Sequence, residues 1–318
     1  IQKHYRFNFR RKDNFELLPF HNIGQTFNSL GVSFDQVKQF PDLGFRAKQF
    51  AYLDVEDINY YEVPTPTSEI MYMTTLEQGQ YLESFFTVNF SERFNTSIAY
   101  TGLRSLGKYR RSLVSQGNFR TTFQYRTKQG QYSIRGHISS QDILNEENGG
   151  LTPSSLEAFE TGDENFSDRA RLDVNLTNAE NLLEGTRLYV EQDYKLTASR
   201  DSVGQKDFSN LKIGHIYLSE NKFYEFLQDA PSSIIGTPNI AGAIRDITKS
   251  SFNKNQFFLE FNSKYVLGTF RVKSSLMKHS YGYDEIFNQT SGITTRRLEG
   301  NGASFGADWK VKVKSLKL

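Results

Sequence analysis

Cysteine is absent from the 318 residues, so neither a disulfide framework nor a thiolate metal site is available. Proline is scarce, at 7 residues, and tryptophan occurs once. No apolar run reaches the roughly 18 residues of a transmembrane helix. The nearest, Ile234 to Ile244, is interrupted by Thr237, Pro238 and Asn239. An excess of one charge is lacking too. Lys+Arg number 38 and Asp+Glu 36, a net charge of +2, so there is no electrostatic footprint for nucleic acid. The five histidines (His4, His21, His137, His215, His279) are scattered and none has metal-ligand spacing, so no metal or other cofactor is expected. No signal peptide is visible: the chain opens Ile1-Gln2-Lys3-His4 and reads as processed or as beginning internally.

Aromatic residues, by contrast, make up 14%, with Phe 27 and Tyr 17, although only 37% of residues are hydrophobic. A chain this polar and this rich in rings is expected to place the rings on one face. The period along the chain is two. Gly117, Phe119, Thr121, Phe123 and Tyr125 fall on one side and Asn118, Arg120, Thr122, Gln124 and Arg126 on the other. Lys128-Gln129-Gly130 then supplies a turn before Tyr132, Ile134, Gly136 and Ile138 alternate with Ser133, Arg135, His137 and Ser139. The same pattern is read at 82–90, 94–101, 170–177, 187–196, 211–217, 257–261, 266–276 and 305–313, for about ten to thirteen strands. Residues 141–167 and 221–255 read as long polar connections, and residues 12–66 as an irregular segment that fills or caps a lumen. The whole chain, 1–318, is read as one domain.

Alternation also occurs in soluble β-sandwiches. Three features favour an antiparallel transmembrane β-barrel instead. The runs span about 10–13 residues, against roughly five or six for globular strands. Short turns alternate with long connections, as on the two sides of an outer-membrane barrel. Rings cluster near run ends, where interfacial girdles belong. Inside lipid every backbone N–H and C=O must pair within the protein, so such a sheet must close.

On this reading Phe86, Val88, Phe90, Ile98, Tyr100, Phe119, Phe123, Tyr125, Tyr132 and Ile134 face lipid. The pore-lining candidates are Arg120, Arg126, Arg135, His137, Arg171, Asp173, Arg187, Glu191, Asp193 and Lys195. Rows of opposite sign across a pore tune permeation, and the same residues equally fill a closed lumen by pairing with one another. Arg104, Lys108, Arg110 and Arg111 form a basic run at a strand end, a candidate contact for lipid headgroups and lipopolysaccharide or a solvated loop. Asp142, Glu146 and Glu147 give a weak divalent-cation signal without EF-hand spacing. Asp201-Ser202-Val203 resembles a short O-glycosylation sequon of Bacteroidota, which makes Ser202 a candidate, though an unmodified loop explains it as well.

Enzymatic motifs are poorly supported. Gly302-Ala303-Ser304-Phe305-Gly306 matches the nucleophile elbow but runs into an alternating strand, and no His follows Ser304. Gly102 to Lys108 has phosphate-loop spacing, but Tyr109 replaces the Mg²⁺-binding hydroxyl. No enzyme is expected.

Several strings resemble the putative porin family of Bacteroidota outer membranes. They are Arg11-Lys12-Asp13-Asn14-Phe15-Glu16-Leu17-Leu18-Pro19-Phe20, Gly24-Gln25-Thr26 with Leu30-Gly31, Asp57-Ile58-Asn59-Tyr60-Tyr61-Glu62-Val63-Pro64-Thr65-Pro66, Glu77-Gln78-Gly79-Gln80, Gly102-Leu103-Arg104-Ser105-Leu106-Gly107-Lys108-Tyr109 and Asn145-Glu146-Glu147-Asn148-Gly149-Gly150. The match is strongest over residues 5–151. The resemblance implies an outer-membrane β-barrel. Members of that family are longer, and the alternating run at Lys310 continues to Leu318, so the chain is expected to be part of a larger barrel. The first functional expectation is a porin that passively conducts small polar solutes. The second is a non-conducting structural or accessory subunit bound to other outer-membrane proteins. The third is a soluble β-rich binding module.

Overall fold

The computed structural model describes residues 17–25, 27–31, 42–75, 78–196, 199–200, 206–207, 210–228, 244–263, 268–287 and 294–311. Two short strands, β1 (Leu17–Pro19) and β2 (Phe27–Ser29), pair with each other. A single helical turn, α1 (Arg46–Gln49), follows. Then come β3 (Thr67–Thr75), β4 (Gly79–Ser91), β5 (Phe94–Ser105), β6 (Val114–Arg126) and β7 (Tyr132–Glu147). Helix α2 (Pro153–Thr161) interrupts before β8 (Ala179–Lys195). A minimal hairpin, β9 (Ser199–Arg200) with β10 (Lys206–Asp207), precedes β11 (Asn210–Gln228), β12 (Ile244–Ser263), β13 (Gly268–Phe287) and β14 (Thr294–Val311).

Ten of these strands form one antiparallel sheet in the order β3-β4-β5-β6-β7-β8-β11-β12-β13-β14. Each main strand pairs with its sequence neighbours in a meander, as hairpin-connected alternating runs should. Among the described residues the outermost strands, β3 and β14, pair only with β4 and β13, so the sheet is not closed into a ring. The fold is therefore all-β and antiparallel, with the ladder of a barrel but without its seam.

The connections are unequal. At one end lie the β4–β5 turn at Glu92 and Arg93 and the β6–β7 turn, where Gly130 takes φ 68° to reverse the chain. At the opposite end lie the 106–113 and 148–178 connections. The second carries α2, which Thr152 caps by accepting from the Ser155 N–H at 3.4 Å, with Pro153 in the first turn and Gly162 closing it at φ 70°.

Three sequence expectations need correction. The alternating run at 170–177 is not a strand: residues 169–171 form a 3₁₀ turn, and beyond it Val174 makes only an isolated bridge to Leu151. β7 runs on through 141–147, and β11 and β12 take up 221–228 and 244–255, all read above as connections. The last two share a cause. Beyond the apolar band the outward positions mix polar residues such as Asp142, Glu146, Asn221, Glu225, Lys249 and Ser251 with Leu144, Phe223 and Leu227, while Ile143, Tyr224 and Phe226 point inward. The contrast between the faces is lost and the period of two vanishes while the ladder continues. The Ser202 sequon lies outside the described residues.

Candidate functional site

The register assigns every strand residue to one of two faces, because directly paired residues share a side. One face is apolar over half its height. Phe86 pairs with Ile98, Tyr100 with Phe119, and Tyr125 with both Phe94 and Ile134. The band continues through Leu188, Val190, Tyr194, Ile213, Tyr217, Phe257, Leu259, Phe270, Val272, Leu276, Phe305 and Trp309. All ten residues read as lipid-facing lie on this side. Phe86, Phe90, Ile98, Tyr100 and Phe119 are exposed; Val88, Phe123, Tyr125, Tyr132 and Ile134 are half-buried. An apolar surface this continuous needs a cover other than water.

The other face is polar and largely buried. Arg120, Arg126, Arg135, His137, Arg187, Glu191, Asp193 and Lys195 all fall on it. Arg171 and Asp173 do not: both sit in the β7–β8 connection, and Asp173 pairs there with Arg110 at 2.5 Å. Their strand assignment failed because the alternation buries Leu172, Val174 and Leu176 within the connection itself, where residues 148–152 meet it through a few backbone bonds and no ladder of the sheet forms.

What buries the polar face is the chain's own N-terminal segment. Residues 42–63 lie along it from the long-connection end towards the short-turn end, and the contacts follow in sequence. Leu43, Ala51 and Tyr52 pack on Ile143, Ala179, Leu183, Tyr224 and Phe226. The Lys48 ammonium is fully buried and donates to the Asn181 carbonyl at 2.7 Å and to its side-chain oxygen. Burial pulls its pKa down to about 7, opposed by the nearby Glu147 carboxylate.

Tyr52 occupies a gap that only glycine leaves: a Cβ at 185 would sit inside its ring. Its hydroxyl donates to Glu220 at 3.0 Å, and the Lys222 ammonium stands 4.3 Å from the ring centroid. Burial and the Glu220 charge raise the phenol pKa, so Tyr52 stays protonated. Leu53 is held at both backbone groups. Its N–H donates to Gln141 at 2.9 Å, while its carbonyl accepts from Gln141 at 2.9 Å and from Arg187. Arg187, buried itself, stands 3.2 Å from Glu220.

Farther along, the Tyr60 hydroxyl meets His137 Nδ1 at 2.8 Å, and His137 stacks on Tyr189 at 5.1 Å. Arg135 lies over the Tyr60 ring and is held by Glu191 at 2.5 Å. The Tyr61 carbonyl accepts from Gln124, and Glu62 pairs with Arg126 at 3.4 Å. Pro64 to Pro66 then lead into β3. Past the segment, at the short-turn end, lies a cavity of about 440 Å³ lined by Glu62, Arg126, Arg135, Glu191, Asp193 and Lys212 among others. A second turn, Asn22 to Gln25, covers the β5–β6 part of this face. Asn22 donates to the Ser105 and Ser112 carbonyls, and the Gly24 carbonyl accepts from Gln116.

Sequence reasoning missed Lys48, Tyr52, Leu53, Gln141, Asn181, Glu220 and Lys222. Glu220 and Lys222 were legible as the continuation of β11's period past Tyr217. The anchors within 43–60 carried no periodic signal at all. Of the basic run, Arg104 is exposed on the apolar side's upper margin, Lys108 is exposed, and Arg110 and Arg111 are paired with Asp173 and Glu146. Asp142 and Glu146 project from one face and Glu147 from the other, so they do not converge on a cation, and no metal-binding cluster occurs among the described residues. The elbow-like Ser304 lies within β14, in a straight ladder opposite Ser275.

The comparison with known proteins fits this two-faced sheet. Residues 1–318 match the family described as "Putative porin". The chain belongs to that family. No curated protein matches it. For a porin-family sheet, the apolar side is the one that lipid would cover and the polar side the one that would bound a lumen.

Proposed function

We propose that this porin-family chain forms the wall of an outer-membrane β-barrel whose polar face bounds a passage for small polar solutes, narrowed by its own residues 42–63. The segregation of the two faces carries the reading. An apolar band crosses strand after strand on one side, and a half-buried set of paired charges occupies the other. In lipid the first must be outside and the second inside. The strands are long enough for this: β7, β8 and β11 to β14 exceed the roughly 9–11 residues needed to cross, with β12 and β13 at 20 residues each. Their polar upper halves would stand above the bilayer.

The packing of residues 42–63 favours a second reading, in which the passage is shut and the barrel serves as an accessory subunit. Planar-bilayer recording separates the two. Discrete conductance steps from folded protein support the passage; a folded, heat-modifiable sample without steps leaves the shut barrel. Outer-membrane placement and contact of Arg104 and Lys108 with lipid headgroups or lipopolysaccharide belong to the same proposal. Solubility without detergent would remove all of it.

A further inference from the structure

At the long-connection end three separate stretches of chain converge on a pocket of about 500 Å³, within the range of small-molecule sites. The N-terminal turn supplies Phe20 and His21, the β5–β6 connection Tyr109, and the end of β7 with α2 supplies Asn145 to Asn148, Leu156 and Phe159. The lining has two unlike parts. Phe20, Leu156 and Phe159 are exposed large apolar side chains, and His21 meets Tyr109 edge-on at 4.8 Å, so its rings are fixed in place. The rest of the lining is polar: Asn145, Glu146, Glu147 and Asn148, with Glu146 and Glu147 leaving β7 on opposite faces.

The charges of this pocket are already answered. Glu146 pairs with Arg111 at 2.7 Å and accepts from the Leu113 N–H at 3.1 Å. Glu147 accepts from Asn181 and faces Lys48. Arg169 lies over the Phe159 ring at 4.3 Å. Burial lowers the pKa of His21, which keeps it neutral. A second observation points to a missing donor. Asn145 is buried, its amide reaches the Gly24 carbonyl at 3.5 Å, and its oxygen has no partner among the described residues. A buried acceptor in that state is costly unless a ligand or water completes it.

A purely apolar ligand would strip water from the carboxylates without replacing their hydrogen bonds. An ion would meet charges that are already paired. The chemistry left is a neutral molecule with an apolar C–H face for the rings and several hydroxyl donors for the acceptors. We propose that this pocket binds a small neutral saccharide at the long-connection end of the sheet. It deepens the reading of the chain as a solute passage by naming the solute class, and it rests on that reading only for the purpose of the binding, since binding does not require conduction.

The test is calorimetric titration of the folded full chain, in a detergent without a sugar headgroup, with maltose, cellobiose and N,N′-diacetylchitobiose. Saturable binding of at least one is expected. Phe20→Ala and Phe159→Ala should weaken it by about tenfold each, the usual loss for one stacking ring. Both side chains are exposed, and unchanged heat-modifiable mobility checks that the sheet is intact. No saturable heat from any of the three sugars overturns the proposal, as does binding that both variants leave unchanged. Bilayer conductance is recorded on the same samples, so a binding protein that does not conduct sinks the passage and leaves the site standing.

Discussion

Tyr52 is the side chain on which the docking of residues 42–63 depends most. It is 1% exposed, fills the space over Gly185, and donates a hydrogen bond to the Glu220 carboxylate. Truncating a buried aromatic to alanine costs about 3–5 kcal/mol. Taking the lower figure, at about 1.4 kcal/mol per factor of ten, Tyr52→Ala should raise the undocked population of the segment by about a hundredfold or more. Trypsin reads this directly, since Lys48 is buried in the docked segment. When opening and closing outpace cleavage, the cutting rate follows the open population. Cleavage after Lys48 in folded protein should therefore accelerate by about the same factor, while heat-modifiable gel mobility stays as in the wild type.

Tyr52→Phe is the calibrating variant. It keeps the ring and loses the bond to Glu220, which still has Arg187 at 3.2 Å and Lys222 at 3.5 Å. That loss should cost about 1 kcal/mol and speed cleavage by only about fivefold. If Tyr52→Ala is cut no faster than wild type, or if the two variants are cut equally fast, the ring does not hold the segment and the reasoning fails.

Gly185→Val should reproduce the Tyr52→Ala pattern from the sheet side, because any Cβ at 185 takes the space of the ring; wild-type trypsin resistance would refute it. Docking should also depend on pH through Lys48. Its pKa is lowered from the ordinary 10.5 to about 7 in the docked state, so the docked state binds fewer protons between those values and docking strengthens as pH rises through that window. Cleavage rates, corrected on an unfolded substrate, should fall from pH 7 towards pH 10; chymotrypsin, which cuts after Tyr52 and does not need Lys48, should show the same slope in the wild type and a flatter one in Lys48→Met. On the opposite face, Ile98→Arg should cost about 2–4 kcal/mol in urea titrations of protein folded into lipid vesicles. A change within about 0.5 kcal/mol, usual for an exposed position in water, would speak for a soluble sheet.

The legibility of this chain followed the solvent on each side of the sheet. Phe119, Phe123 and Tyr125 could be assigned to one face and Arg120 and Arg126 to the other, because an apolar exterior against a polar interior forces a period of two. Where both sides mix polar and apolar residues, from Ser140 to Glu147 and from Asn221 to Gln228, the same ladder left no trace in the residue pattern. The run at 170–177 shows the converse. Apolar residues alternate there, yet only the isolated Leu151–Val174 bridge forms.

The sequence by itself determined the two-faced character of the strands, the apolar band and the family strings, since these depend on near neighbours and on the contrast between alternate positions. The tertiary structure alone decided what lies against the polar face. Lys48 with Asn181, Tyr52 with Glu220, and Tyr60 with His137 join residues 77 to 168 positions apart. No local pattern encodes such a pairing: a lysine or tyrosine in an irregular segment has the same sequence signature whether it meets water or a buried carboxylate. The open glycine at 185, the fixed arginine at 187 and the ring that fits between them became a site only when the sheet brought their strands together.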